Sequence, residues 1–344
     1  MKRIHVAAAV IRGADGRVLI AKRPLDKHQG GLWEFPGGKV EAGERVEAAL
    51  ARELLEELGI VVTAAQPLIQ VRHDYPDKQV LLDVWEVQAF TGEPHGAEGQ
   101  PLMWATADQL TNYSFPAANQ PIVAAARLPH RYLITPDGLA PQRLLDGLAQ
   151  ALDDGIRLIQ LRVPSLPPAD YRALAERALA LCEGRAQLML KGPLQWACDY
   201  PEAGWHLTAR QLREHAGREQ PIAANRWLAA SCHDAEELAL AAALGVDFVT
   251  LSPVLATASH PDASPLGWAQ VADLLLGFDR PAYLLGGLQA SDLSPARQAG
   301  AQGVAAIRAF WPDGTAGADA GHWRCCCKPD KCVFDRLKQS RSFP

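Results

Sequence analysis

A chain of 344 residues has room for two domains, and 48% hydrophobic with 21% charged residues is the balance of a folded globular protein, not a fibrous or disordered one. Its formal net charge of -5 argues against a dedicated nucleic-acid binder and leaves a free nucleotide open as a ligand. No segment reaches the apolar length of a membrane span, and the opening MKRIHVAAAVI reads as a strand and not as a leader, so the expected compartment is the cytoplasm.

In chain order, Ile4, Val6, Ala8 and Val10 alternate with smaller or polar residues, and Asp15-Gly16 turns the chain into Val18-Leu19-Ile20, a predicted hairpin. Lys22 and Arg23 leave the second strand for the loop HQGGLWEFPGGK, where Trp33 and Phe35 are too apolar for an idle connection. Pro36-Gly37-Gly38 is a tight turn that can present the Gly37 carbonyl to a metal. The next stretch is GKVEAGERVEAALARELLEELGI. Val46, Leu50, Leu54 and Leu58 form a helical apolar stripe, and Gly59 is placed to end the helix in the left-handed conformation. Residues three and four apart share a helix face, so Glu53 stands beside Glu56 and Glu57. Three carboxylates that close repel one another unless a cation sits among them, and hard Mg²⁺ or Mn²⁺ prefers such oxygen donors.

Two more strands are predicted at Leu68 to His73 and Val80 to Phe90, joined by a hairpin loop DYPDKQ. Glu98 follows in the loop GAEGQ, Leu102-Met103-Trp104 is short and extended, and 117–128 reads as a closing helix with Pro121 tolerable near its first turn. A mixed sheet with a helix on each face, an α/β/α sandwich, fits this order. The pattern changes at Pro129-His130. From there eight short apolar runs, beginning at Tyr132, Leu158, Gln187, Trp205, Leu228, Phe248, Ala282 and Val304, alternate with Ala- and Leu-rich helical segments. Eight strands in βα alternation within 130–311 predict a small (β/α)₈ TIM barrel.

The acidic stretch reproduces the Nudix box without a gap: Gly38, five residues, Glu44, seven residues, Arg52-Glu53-Leu54, one residue, Glu56-Glu57, one residue, Gly59-Ile60. Residues 1–129 therefore resemble the Nudix hydrolases. The resemblance implies that Glu53, Glu56 and Glu57 ligate Mg²⁺, with Mn²⁺ as a substitute, and that Glu44 and Arg52 hold the loop against the helix. FPGGK at 35–39, GEP at 92–94, EGQP at 98–101 and FPAAN at 115–119 narrow it to the MutT-like 8-oxo-dGTP diphosphatases. That family implies Asn119 as reader of an oxidised purine, since an amide offers a donor and an acceptor to a base edge. It also implies Arg23, Phe35, Tyr75 and Asp77 around the base, with Tyr75 replacing a usual phenylalanine, and Glu98 as a further metal carboxylate. The implied reaction is water attack at the β-phosphorus, giving 8-oxo-dGMP and pyrophosphate. Glu53 and Glu98 are both open as the base, with Glu53 preferred because a helix fixes it more firmly.

Residues 130–311 resemble the thiamine-phosphate synthase and TenI family through YLITP at 132–136, GIRLIQLR at 155–162, GWHLTARQL at 204–212, the run 231–260 and LLGGL at 284–288. The departures lie where barrel chemistry sits, at the strand C-termini. Leu190-Lys191-Gly192 stands where an Asn-Asp is usual, Thr208-Ala209-Arg210 lacks an expected Asp, and Val163-Pro164 replaces a basic residue. A non-catalytic or ligand-binding barrel is the expectation. Its candidate contacts are Gln160, Arg162, Ser231, His233, Ser252, Thr257 and the Gly286-Gly287 turn.

The segment 312–344 reads as a flexible basic tail carrying Cys325, Cys326, Cys327 and Cys332, whose spacing fits no standard zinc knuckle. The leading expectation is a Mg²⁺-dependent sanitiser of oxidised nucleoside triphosphates, with no direct nucleic-acid binding. A Nudix hydrolase of a thiamine-related diphosphate and a hydrolase governed by a ligand-sensing barrel stand as alternatives.

Overall fold

The computed structural model describes residues 2–26, 29–76, 78–257 and 263–312. Asp77 and the cysteines expected in the tail lie outside the described residues.

The first seven strands make one sheet. They are β1 (Lys2–Arg12), β2 (Val18–Lys22), β3 (Trp33–Glu34), β4 (Gly37–Lys39), β5 (Val61–Asp74), β6 (Lys78–Thr91) and β7 (Leu102–Ala105). The order is β3-β2-β1-β6-β5, with β4 paired to β1 and β7 to β2. Helix α1 (Val46–Leu58) follows β4, and its Ala49, Leu50, Leu54 and Leu58 pack with Ala7, Ala9, Ile11 and Leu19 of the sheet. Gly59 closes the helix with φ 67°, and its N–H and that of Ile60 reach back to the carbonyls of Leu55 and Leu54. β5 starts seven residues before the predicted Leu68, because the β-branched Val61-Val62-Thr63 already extends the chain beside the sheet. The closing helix is shorter than predicted. Ala117–Asn119 forms a 3₁₀ turn, and α2 proper runs Gln120–Arg127, with Pro121 in its first turn where no N–H is needed.

The second architecture is a closed barrel of eight strands in parallel pairs: β8 (Arg131–Ile134), β9 (Leu158–Leu161), β10 (Gln187–Leu190), β11 (Gly204–Leu207), β12 (Leu228–Cys232), β13 (Phe248–Leu251), β14 (Ala282–Leu284) and β15 (Gly303–Ala306). Between them lie α3 (Pro141–Asp153), α4 (Pro168–Cys182), α5 (Ala209–Glu214), α6 (Ala235–Leu244), α7 (Gly267–Leu275) and α8 (Leu293–Gln298). Side chains alternate across each strand. Leu133, Ile159, Leu161, Leu188, Leu190 and Val249 face the helices, while Tyr132, Leu158, Met189, Ala229, Phe248, Tyr283 and Ala305 fill the interior. Two residues further along the same strands the interior turns polar, with Gln160, Lys191, Ser231 and Thr250. Among the described residues no helix is long and apolar enough to cross a membrane.

Candidate active site

The acidic site is built on the β4–α1 connection. β4 lies antiparallel to β1, with Gly37 opposite Ala8 and Gly38 opposite Ala7. Gly37 has φ 142°, and a Cβ there would sit 2.1 Å from the Ala7 carbonyl oxygen, so only glycine fits. A Cβ on Gly38 would lie 2.1 Å from Cδ of Glu53, so the bare α-carbon of Gly38 is the surface on which the Glu53 carboxylate rests. Gly37→Ala is expected to cost at least about 2 kcal/mol of stability, from left-handed strain and overlap with backbone that cannot move aside. A urea titration followed by tryptophan fluorescence measures it, and an unchanged midpoint contradicts the fit.

Arg52 organises the carboxylates. Its Nε and one terminal nitrogen donate to the two oxygens of Glu44 at 3.0 Å each, and that nitrogen also reaches the Lys39 carbonyl at 3.0 Å. The other terminal nitrogen donates to Glu53 at 2.8 Å and stands 3.5 Å from Glu56. One guanidinium thus ties the loop, β4 and the acidic face of α1 together, with the bidentate geometry that arginine favours. The Arg52 hydrogen bonds, then the Glu41 N–H, hold the Glu44 carboxyl below the usual range.

Glu57 behaves differently. Its carboxylate accepts the Gly37 N–H at 3.2 Å, yet burial, and then repulsion from Glu34, Glu53 and Glu98, push its pKa up to about 7. Glu98 sits on an exposed loop tied to the end of α1, where the Glu57 carbonyl accepts from the Ala97 N–H at 3.0 Å and from Gln100 Nε2 at 2.9 Å. Among the described residues no three His, Cys, Asp or Glu side chains converge as a ready-made ligand group. Glu53 is engaged by Arg52, Glu56 is 60% exposed, and Glu98 sits on its exposed loop. The donor set nonetheless suits a hard divalent cation, because Glu57 resists ionisation beside its acidic neighbours and a cation supplies the missing countercharge.

The residues expected around a base have these surroundings. The Arg23 guanidinium pairs with Glu34, a half-buried carboxylate that the sequence pattern did not single out. Phe35 is buried and stacks on Phe115 with centroids 5.4 Å apart. Tyr75 closes the β5–β6 hairpin through backbone bonds with Lys78, and its ring packs on His73 at 4.5 Å. Asn119 is the N-cap residue of α2, but its side chain makes no capping bond.

In the barrel, several candidate contacts prove to be committed within the chain. Gln160 is buried and donates to the Tyr132 hydroxyl at 3.0 Å, and His233 Nδ1 lies 2.8 Å from Oε2 of the buried Glu237. Both therefore also serve as partners within the barrel. The Gly286-Gly287 turn, at φ 107° and 70°, packs too closely on Pro253 and Leu255–Ala256 for any side chain. Ser252 donates its N–H to the Cys232 carbonyl, and Thr257 ends the described part of the same loop. Arg162 does line an open cavity of about 980 Å³ at the strand C-termini, with Lys191, Thr208, Arg210 and His215. Ser231 is hydrogen-bonded to Lys191, a residue that stands out in the sequence only as a departure from the family pattern.

An acidic helix clamped under a glycine turn beside a mixed sheet, followed by a closed (β/α)₈ barrel, defines a two-part chain. Comparison with known families gives the particulars. The NUDIX domain model matches residues 7–125 and the thiamine monophosphate synthase model residues 131–310. The chain belongs to the Nudix family through its first part and to the thiamine monophosphate synthase family through its second. The first part is 39% identical over 124 residues to an 8-oxo-dGTP diphosphatase of Escherichia coli, covering 36% of this chain and 96% of that protein. It is also 39% identical over 125 residues to a CTP pyrophosphohydrolase of the same organism, 36% of this chain and 92% of that protein. The second part is 29% identical over 184 residues to a putative thiamine-phosphate synthase 2 of Aquifex aeolicus, 53% of this chain and 98% of that protein.

Proposed function

We propose that this chain is a divalent-metal-dependent nucleoside triphosphate pyrophosphohydrolase whose substrate is 8-oxo-dGTP, cleaved to 8-oxo-dGMP and pyrophosphate. The two Escherichia coli enzymes compared above are equally identical to it at 39%, so that pair does not choose between the bases. The observation that favours the oxidised purine is Asn119. Asn119 ends the 3₁₀ turn with a helical backbone, φ −91° and ψ −10°, which does not aim its side chain at the α2 N–H groups, and its amide makes no capping bond. A purine carrying adjacent acceptor and donor on its edge suits such an amide.

Gly37, Glu53, Glu56, Glu57 and Glu98 would hold the cation. Mg²⁺ held there supplies neutralisation of the triphosphate charge and lowers the pKa of water. Arg52 keeps Glu53 in place, and Glu53, resting on Gly38, receives the proton as water attacks phosphorus. The barrel is read as lacking synthase activity, since Lys191 and Arg210 stand at its mouth where acidic groups are needed for a metal-pyrophosphate. Nothing in the geometry favours a thiamine-related diphosphate as the hydrolase substrate.

Asn119→Ala tests the reading. The preference for 8-oxo-dGTP over dGTP in kcat/KM is expected to fall by roughly 5- to 150-fold, the ~1–3 kcal/mol of one bidentate base contact. Turnover of dGTP should hold nearly constant. A mutant that keeps its preference removes Asn119 as the reader.

A further inference from the structure

The barrel interior holds a polar chain that the hydrolase reading does not use. Gln160 Nε2 donates to the Tyr132 hydroxyl at 3.0 Å, which lies 3.0 Å from His206 Nδ1. His206 Nε2 is 3.1 Å from Ser231 Oγ, and Ser231 Oγ is 2.7 Å from Lys191 Nζ. These residues come from β8, β9, β11 and β12, and from the position just after β10. His206 is fully buried, and burial together with the nearby Lys191 keeps its ring neutral. Lys191 is the outermost member and lines the cavity at the mouth.

Several features set Lys191 apart from a structural lysine. No ion pair to it is found among the described residues, and the neighbouring charge is the like-signed Arg162. Burial, reinforced by Arg162, pulls its pKa down to about 7, so much of it is free amine at neutral pH. Its backbone is pinned on both sides, by the Tyr171 hydroxyl accepting from the Lys191 N–H at 3.3 Å and by Gln211 donating to the Gly192 carbonyl at 2.9 Å. A desolvated amine, a hydroxyl at contact distance and an open cavity are the parts needed for covalent capture of a carbonyl.

We propose that Lys191 is a nucleophile that captures small aldehydes or ketones bearing an anionic group, as a Schiff base in the barrel mouth. The Nζ lone pair forms the C–N bond while the carbonyl π pair moves to oxygen. A proton passes from nitrogen to that oxygen, with Ser231 placed to relay it, and gives the carbinolamine. The C–O bond then breaks, nitrogen forms the C=N bond, and both amine protons leave with the carbonyl oxygen as one water. Arg162, on the same cavity, supplies the charge that selects an anionic group on the carbonyl compound.

The test is reductive trapping on the full chain. The protein is incubated at neutral pH with pyruvate, and in a second arm with glycolaldehyde phosphate, then treated with sodium borohydride and mapped by peptide mass spectrometry. The expected adduct is on Lys191, about tenfold or more above any other lysine, since an ordinary lysine has only on the order of 0.1% free amine at neutral pH. Acetone, which lacks the anionic group, should label it weakly. Lys191→Met should abolish the adduct. Ser231→Ala should slow trapping several-fold with an unchanged circular dichroism spectrum. Adducts spread evenly over the lysines, or an unlabelled Lys191 in the intact wild-type chain, overturn the proposal. Equal labelling by acetone overturns the requirement for an anionic group.

Discussion

Glu53→Gln is expected to lower kcat for nucleotide hydrolysis by about 10²- to 10⁴-fold, the usual contribution of a positioned base. Glutamine keeps the size of the side chain, so it still rests on Gly38 and still offers an oxygen to Arg52. What it loses is the charge and the ability to take a proton. The unfolding midpoint should therefore hold while turnover collapses, and a single-turnover assay beside a melting curve separates the two. Glu98→Gln is the informative control. Glu98 lies on an exposed loop whose ties to α1 run through neighbouring residues, so its loss should cost less. A larger fall for Glu98→Gln than for Glu53→Gln assigns the base to the loop and removes Glu53 from that role.

The second large effect concerns Glu57 and pH. Its folded pKa, about 7, stands above the ordinary carboxylate value near 4.3 because burial and three neighbouring carboxylates oppose its charge. A raised acid holds its proton more tightly in the folded chain. The stabilisation is therefore full below the unfolded pKa and is lost as pH rises towards and through about 7. The difference amounts to about 3–4 kcal/mol. In the presence of a chelator, the hydrolase domain should lose that stability between about pH 4.5 and pH 7, with little further change above. Adding Mg²⁺ at pH 8 should restore it, because the cation takes over the role of the proton, and Glu57→Gln should flatten the profile. Chelated protein whose unfolding midpoint does not fall over that range, or a wild-type midpoint that ignores Mg²⁺, contradicts a cation-dependent acidic site.

Much of the fold was legible because it rests on periodicity. Leu50, Leu54 and Leu58 recur at helical spacing and are fully buried, and Gly59 takes the left-handed conformation that its place after Leu58 implied. The barrel strands read as short apolar runs because each is covered by helices outside and side chains inside. The pairing of Arg52 with Glu44 was implied by the Nudix box, whereas the bond from Arg52 to Glu53 was not.

What stayed hidden depends on contacts between distant segments. Glu34 sits between two aromatic residues in the two-residue strand β3, and nothing in its spacing announces that it pairs with Arg23 and raises Glu57. The chain from Gln160 to Lys191 draws on four strand positions and the residue just after β10, which meet only when the barrel closes. Singly these residues look like ordinary strand polar groups. The pairing of His233 Nδ1 with Glu237, one helical turn on, is likewise not announced by the strand pattern.

Substrate choice is decided most directly by kcat/KM of the intact chain, with Mg²⁺, for 8-oxo-dGTP against dGTP and CTP. A preference for 8-oxo-dGTP of about a hundredfold or more is expected, at the upper end of what one bidentate contact supplies. Equal, slow turnover of 8-oxo-dGTP and dGTP, or a preference for CTP, would rule out the oxidised purine nucleotide as the substrate.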